Sequence, residues 1–268
     1  MLADTDLAAF EAFALELQAA ARDAILPLFR TENGMEDKGG AKGFDPVTLA
    51  DRGAETAIRR LIAMRYPDHG VIGEEYGEDR PEAEYVWVLD PVDGTRAFIA
   101  GIPLWTTLIA LRHQGRPVVG AIGQGYLDEV FVGSRRGSSL VCGTDVYPLR
   151  VRSCETLSTA ILGVTDPDPR AYFTGPEAAA FDRVRQASRL TRLGGDAYFL
   201  ALVAMGTMDL VIEGAALKAW DIEAAIPLIE GAGGVVSDWS GRAIGQNGGQ
   251  VIAAGDARLR DQAVELLR

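Results

Sequence analysis

The first regular pattern along the chain has a helical period. Leu7, Phe10, Ala14, Leu17, Ala21, Ile25 and Leu28 recur in three- and four-residue steps, with Glu11, Glu16 and Arg22 opposite. This predicts a long amphipathic helix from Asp6, its N-cap, to Arg30. The period is lost from Thr31 to Phe44, a stretch with four glycines (34, 39, 40, 43), Lys38 and Lys42. That stretch reads as a loop: a solvated connector, or a segment that closes on an acidic site. A second stripe, Ala54, Ala57, Ile58, Leu61 and Ile62, predicts a helix from Asp51 to Arg65. His69 to Gly73 then reads as a short strand ending in Glu74 and Glu75.

Next comes an unbroken apolar run, Tyr85 to Leu89, rich in aromatic and β-branched residues and predicting a buried strand. Two carboxylates follow, Asp90 and Asp93, with Pro91 between them. Proline cannot donate to a central ladder, so the strand is expected to end near Asp90. Gly94 and Thr95 open a short helical segment closed by Gly101 and Pro103. From there the pattern predicts an antiparallel meander of strands at Leu104–Arg112, Pro117–Gln124, Glu129–Gly133 and Ser138–Cys142.

The polar stretch from Gly143 to Thr156 marks a boundary between two expected parts, 1–145 and 146–268. Beyond it strands and helices alternate, as in an α/β unit. Strands are expected at Ala160–Val164, Met208–Glu213, Gly233–Ser237 and Gln250–Ala254. Helices are expected at Pro176–Ser188, Ala197–Met205, Trp220–Glu230 and Asp256–Leu267, with Arg192 to Asp196 as a turn.

Composition narrows the function more than the fold. With 268 residues, 48% apolar and 24% charged, the chain has the makeup of an ordinary globular protein. Its net charge of −12 argues against a nucleic-acid partner. The two cysteines, Cys142 and Cys154, form no disulfide framework, and a reducing cytoplasm is the simplest setting. The acidic start lacks the basic region of a signal peptide, and the longest uncharged run, Ala97 to Leu111, is too short to span a bilayer. Two histidines, 69 and 113, leave little for zinc or a Ser-His-Asp triad, and there is no Walker A or dinucleotide fingerprint.

What remains is carboxylates beside free backbone N–H groups. Carboxylates bind hard cations, and a helix start binds phosphate. This combination points to a Mg²⁺-dependent phosphatase. Taken alone, several of these acids have plainer readings: Asp51 and Asp221 stand where a helix favours an acid, and Asp238 and Asn247 belong to turns.

Asp90-Pro91-Val92-Asp93-Gly94-Thr95 resembles the signature of the inositol-monophosphatase superfamily. Gly73-Glu74-Glu75 before it, Trp220-Asp221 with Gly231 to Val235 after it, and Asp51 closing Val47 to Asp51 match three further motifs in the same order. The resemblance implies an α/β layered sandwich of αβαβα type, with an antiparallel N-terminal sheet and a smaller mixed C-terminal sheet. It implies two or three Mg²⁺ per subunit. Glu74, Asp90 and the Val92 carbonyl would hold one ion, and Asp90, Asp93 and Asp221 a second. Asp51 would assist a third ion or orient water, Thr95 would partner the attacking water, and the Gly94 and Thr95 N–H groups would hold phosphoryl oxygens.

The segment from Asp93 to Ile109, with Arg96-Ala97-Phe98 after the Gly-Thr, is most similar to the histidinol-phosphatase branch, as is Arg192-Leu193-Gly194-Gly195-Asp196. By that match Arg192 and Asp196 contact substrate, with Arg96 and Glu213 as further candidates, and Arg192 alternatively pairs with Asp196. The expected substrate is a small phosphate monoester, L-histidinol phosphate first. Inositol or another sugar phosphate comes second, and a non-catalytic phospholigand binder third. A homodimer, with no nucleic acid and no membrane partner, completes the expectation.

Overall fold

In the computed structural model, residues 2–32, 34–38 and 46–268 are described, so Lys42 lies outside the described residues. The chain opens with α1 (Asp4–Ile25), which buries Leu7, Phe10, Phe13, Leu17 and Ile25 on one side. Its N-cap is Ala3, and Asp6 sits in the first turn instead. The helix stops at Ile25 because Pro27 has no N–H to extend it, and Leu26–Leu28 tighten into a 3₁₀ turn. Two short strands, β1 (Glu36–Asp37) and β2 (Pro46–Val47), pair antiparallel. Then α2 (Leu49–Arg65) begins from Thr48, with Asp51 three residues in as the returning half of a capping box.

The large sheet is built from β3 (Gly70–Gly73), β4 (Gly77–Asp79), β5 (Tyr85–Asp93), β6 (Thr106–His113), β7 (Arg116–Gln124), β8 (Glu129–Ser134), β9 (Gly137–Cys142) and β10 (Asp145–Pro148). Its order is β10-β9-β8-β7-β6-β5-β3-β4. The expected antiparallel pairing holds except between β3 and β5, which run parallel. The hairpin partner β4 occupies the outer side of β3, so the returning chain lays β5 along the inner side in the same direction. The expected division at 145/146 falls inside β10, which continues this sheet by pairing with β9.

A five-residue helix, α3 (Thr95–Ile99), follows β5. The second half contains β11 (Ile161–Val164), α4 (Gly175–Ala187), β12 (Leu190–Leu193), α5 (Asp196–Met205), β13 (Leu210–Glu213), α6 (Ala219–Ile222), α7 (Ala225–Gly231), β14 (Val235–Ser237), β15 (Val251–Ala254) and α8 (Ala257–Leu267). The sheet order is β12-β11-β13-β15-β14, with β12, β11 and β13 parallel and β15 antiparallel to its neighbours. The single helix expected from Trp220 to Glu230 is two, α6 and α7. Pro227 cannot donate back to Glu223, so the ladder breaks and restarts with proline in the first turn of α7. Arg192 lies on strand β12, not in a turn.

Three apolar clusters define the layers. Helices α1 and α2 pack on the outer face of the large sheet through Phe13, Leu17, Ile58 and Trp87. Helices α4 and α8 cover the outer face of the small sheet through Phe181, Val184, Leu259 and Val264. Between the sheets lie α5, α6 and α7, in one cluster that takes Val88, Leu108 and Phe131 from one side and Val211 and Val251 from the other. The result is αβαβα. Burying one such large side chain contributes about 1.5–3 kcal/mol, so the middle layer locks the two sheets at a fixed spacing. The site depends on that spacing.

Candidate active site

The site starts with a defect in β5. Asp90 faces Leu108 and Asp93 faces Thr106, so Pro91 and Val92 share the single residue Thr107 opposite them. This is a bulge, and bulges are where sheets tolerate proline. The strand therefore continues past Pro91 to Asp93, three residues beyond the expected end. The Thr107 hydroxyl secures the bulge by donating to the Pro91 carbonyl at 2.7 Å. The extra residue bends the strand end and turns both acids toward the middle layer.

Gly94 then adopts φ +78°, a left-handed turn, and a Cβ there would meet Asp196 Oδ2 at 3.0 Å. Glycine lets the backbone pass that close and enter α3. The Thr95 hydroxyl donates to the Val92 carbonyl at 3.0 Å. Asp93 Oδ2 accepts from the Ala197 N–H at 2.8 Å and from the Thr106 hydroxyl at 3.2 Å, tying the bulge to the first turn of α5. Asp221, in the first turn of α6, accepts from the Lys218 N–H at 2.6 Å.

Asp90, Asp93 and Asp221 each place a carboxylate oxygen within 4.8 Å of the others. Glu74, just past β3, adds a carboxyl that interacts with Asp90 and Asp221. The Lys38 ammonium lies 3.6 Å from Glu74 and 2.8 Å from Glu75, so Lys38 reaches the site. Burial pushes Asp90 and Asp93 well above the ordinary carboxylate range, and the neighbouring acids push the same way. Burial likewise raises Glu74 to about 7 and Asp221 to about 6. Four crowded acids pushed toward protonation form a centre whose full ionisation calls for more positive charge than the nearby Lys38 and Lys218 supply. An all-oxygen donor set of this kind fits Mg²⁺, with its preference for carboxylates and water.

These acids line a cavity of about 670 Å³ that continues to Thr165, Tyr172, Asp196 and Glu213. Glu213, at the end of β13, is 3% exposed. Its Oε1 accepts from the Thr165 N–H at 2.8 Å and from the Thr165 hydroxyl at 2.9 Å. Its Oε2 is buried without a partner among the described residues. Burial raises Glu213 to about 8 and Asp196 to about 6, the latter opposed by the nearby Arg96. The Arg96 guanidinium sits over the Tyr172 ring, 5.0 Å from its centroid.

Two expected residues are not brought here. Asp51 is buried outside the cavity lining, its Oδ2 accepting from the Thr48 N–H at 2.7 Å and the Thr48 hydroxyl at 2.5 Å. That oxygen closes the capping box that starts α2. Arg192 is exposed on the edge strand β12, outside the cavity lining, and forms no ion pair with Asp196. Strand β12 ends at Leu193 and the chain turns at Gly194, φ +78°, before Asp196 opens α5, so the two side chains leave in different directions. The sequence reading missed Thr106, Thr165 and Tyr172. Thr165 had a usable signal: it follows the carboxyl end of β11, beside the β13 end that carries Glu213, where α/β sheets gather ligand contacts.

The sequence model of the inositol monophosphatase family matches residues 6–268. The chain belongs to the inositol monophosphatase family. It is 39% identical to the "Bifunctional phosphatase IMPL2, chloroplastic" of Arabidopsis thaliana, over 99% of this chain and 77% of that protein. It is 34% identical to a histidinol-phosphatase of Chlorobaculum parvum, over 81% of each. Among solved structures, an inositol monophosphatase from Zymomonas mobilis superposes with a TM-score of 0.84 at 38% identity, over 100% of this chain and 99% of that one. Members of the inositol monophosphatase family are Mg²⁺-dependent phosphatases of small-molecule phosphate monoesters, and this chain is a phosphoric monoester hydrolase. Among the described residues, no helix is long and apolar enough to cross a membrane.

Proposed function

We propose that the chain hydrolyses a small phosphate monoester bearing a cationic amine, and that L-histidinol phosphate is its substrate. The observation that carries this reading is the unpartnered Glu213 Oε2, buried in the cavity wall with Asp196 nearby. A buried acceptor left open costs about 1–3 kcal/mol, and a substrate ammonium would relieve that cost.

In this reading Glu74, Asp90 and the Val92 carbonyl would hold one Mg²⁺, and Asp90, Asp93 and Asp221 would hold a second. When bound, the ions neutralise the phosphate dianion and make water acidic enough to attack phosphorus. The chain's own residues do the rest. The Thr95 hydroxyl turns from the Val92 carbonyl toward the attacking water. The Gly94 and Thr95 N–H groups orient the phosphoryl oxygens. Arg96, fixed against Tyr172, keeps positive charge at the cavity rim. Asp51 acts one step back, fixing the helix that adjoins the site. The homodimer and the cytoplasmic setting belong to the same reading.

One observation favours a polyol instead. Raised to about 8, Glu213 is a neutral acid at pH 7 and suits a hydroxyl partner such as inositol 1-phosphate offers. An arriving ammonium would favour the ionised carboxylate, whose proton leaves to solvent, so the two substrates are separable by charge. We expect kcat/KM for histidinol phosphate to exceed that for inositol 1-phosphate in a side-by-side phosphate-release assay. Glu213→Gln should lower the histidinol phosphate value about 10–100-fold, the size of a lost charge-assisted contact, and the inositol value less. A preference of the unmodified enzyme for inositol 1-phosphate overturns the substrate assignment and leaves the phosphatase standing.

A further inference from the structure

Glu74 is the one acid of the centre that stands on a turn rather than on a strand end or helix start, and that turn is held from beneath. We infer that Glu55 is the positioning residue that aims Glu74 at the metal site. Glu55 lies on α2, fully buried at 0% exposure. Its Oε2 accepts from the Glu75 N–H at 2.8 Å and its Oε1 from the Tyr76 N–H at 3.2 Å. Arg59, one helical turn on, donates to Oε1 at 2.7 Å and reaches the Gly77 carbonyl with its other nitrogen.

The carboxylate thus takes up two successive N–H groups of the turn between β3 and β4, and its arginine takes the carbonyl that closes it. Glu74 itself is anchored on its other side, its N–H donating to the Leu89 carbonyl at 3.2 Å. Leu89 immediately precedes Asp90, so the backbone of Glu74 is pinned between Glu55 and the strand carrying its metal-site partner. Gly73 completes the fit. A Cβ there would lie 2.1 Å from Glu55 Oε1, so the glycine leaves the space that the carboxylate fills.

A buried, charge-compensated carboxylate is an expensive way to hold an ordinary hairpin turn, since solvent would satisfy the same N–H groups. It makes sense where the direction of the next side chain matters. Groups that orient metal ligands typically hold 10–100-fold of metal affinity or activity.

This inference rests on the Mg²⁺ reading above, and the test separates the two. Mg²⁺ binding to the full chain is measured by calorimetry, alongside the Mg²⁺ dependence of turnover, for the unmodified protein, Glu55→Gln and Gly73→Ala. The first variant removes the charge under the turn, and the second displaces the carboxylate from the other side. We expect both to bind Mg²⁺ about 10–100-fold more weakly. Substrate KM at saturating Mg²⁺ should be little changed, and excess Mg²⁺ should restore kcat. Unchanged Mg²⁺ affinity in both variants overturns the inference, as does a loss of turnover that Mg²⁺ does not restore. Loss of cooperative melting in both overturns it too, because Glu55 is then structural only. Absence of Mg²⁺ binding by the unmodified protein would instead sink the metal reading itself.

Discussion

Two regions of the molecule that bury carboxylates treat them differently. At the seam between the large sheet and the middle layer, Glu223 receives both Arg112 nitrogens at 2.6 Å, a two-pronged pair with side chains only 8% and 5% exposed. Asp209, fully buried just before β13, is held the same way by Arg152 at 2.9 and 2.6 Å. At the cavity floor, among the described residues, no salt bridge reaches Asp90, Asp93 or Asp221. Those acids are held by backbone N–H groups, a threonine hydroxyl and one another. For Glu223 and Asp209 the chain itself supplies the cation. At the cavity floor no such pair forms among the described residues, and in the proposed reading the counter-charge comes from outside.

Asp93→Asn breaks the cavity side of this comparison most directly. The amide oxygen still accepts from the Ala197 N–H and the Thr106 hydroxyl, so the fold should survive, but the charge that attracts a cation is gone. Phosphate release should fall about 10³-fold or more, worth about 4 kcal/mol of barrier, with the melting temperature nearly unchanged. Near-normal turnover would remove Asp93 from the proposed ligands.

The seam should answer in stability. Glu223→Ala leaves the Arg112 guanidinium buried with only the Gln246 carbonyl, 3.1 Å away, to satisfy it. Breaking a buried pair from one side costs about 3–5 kcal/mol, to be read from denaturant unfolding. Replacing both partners, Arg112→Met with Glu223→Leu, should recover most of that loss. If the double variant is as unstable as the single one, the pair contributes something that apolar packing cannot replace.

The two regions also differ in how visible they are in the sequence. Asp90 and Asp93 follow an apolar run within one stretch, so their chemistry is local and legible. Pro91 was legible too, but it marks a bulge, and a bulge is defined by the opposing strand, which a single stretch does not contain. Arg112 and Glu223 are 111 residues apart, and no period or spacing joins them. Glu55 lies on the apolar side of α2, where an acid reads as an interruption until the turn above it is seen. Strands β10 and β12 were missed because their exposed residues give no alternation to read. Asp51 is readable as a helix-start acid, and Thr48 three residues before it is the other half of the capping box.

The last difference is one of pH. At the cavity, Glu74 at about 7, Asp221 at about 6 and Asp196 at about 6 all stand above their unfolded values near 4. The metal-free folded state therefore binds more protons than the unfolded chain between about pH 4 and 7. Its contribution from these acids is complete below pH 4 and is lost as pH rises through 6 and 7. His69 pulls the other way: burial lowers its pKa below 6.5, so its contribution is present above 6.5 and fades in acid. The difference between melting curves with and without Mg²⁺ isolates the cavity, because His69 stacks with Tyr66 and Tyr85, away from the acids, and shifts both curves alike. That difference should be near zero at pH 5, where protonated acids do not bind the ion. By pH 8 it should reach about 5 °C or more with Mg²⁺ at a hundred times Kd, equivalent to about 2.7 kcal/mol. In Asp93→Asn it should shrink at every pH, and in the seam variant Glu223→Ala it should persist on a lower baseline. A Mg²⁺ effect as large at pH 5 as at pH 8 would mean that the cavity acids are ionised without the metal, and the contrast between the two regions would fail.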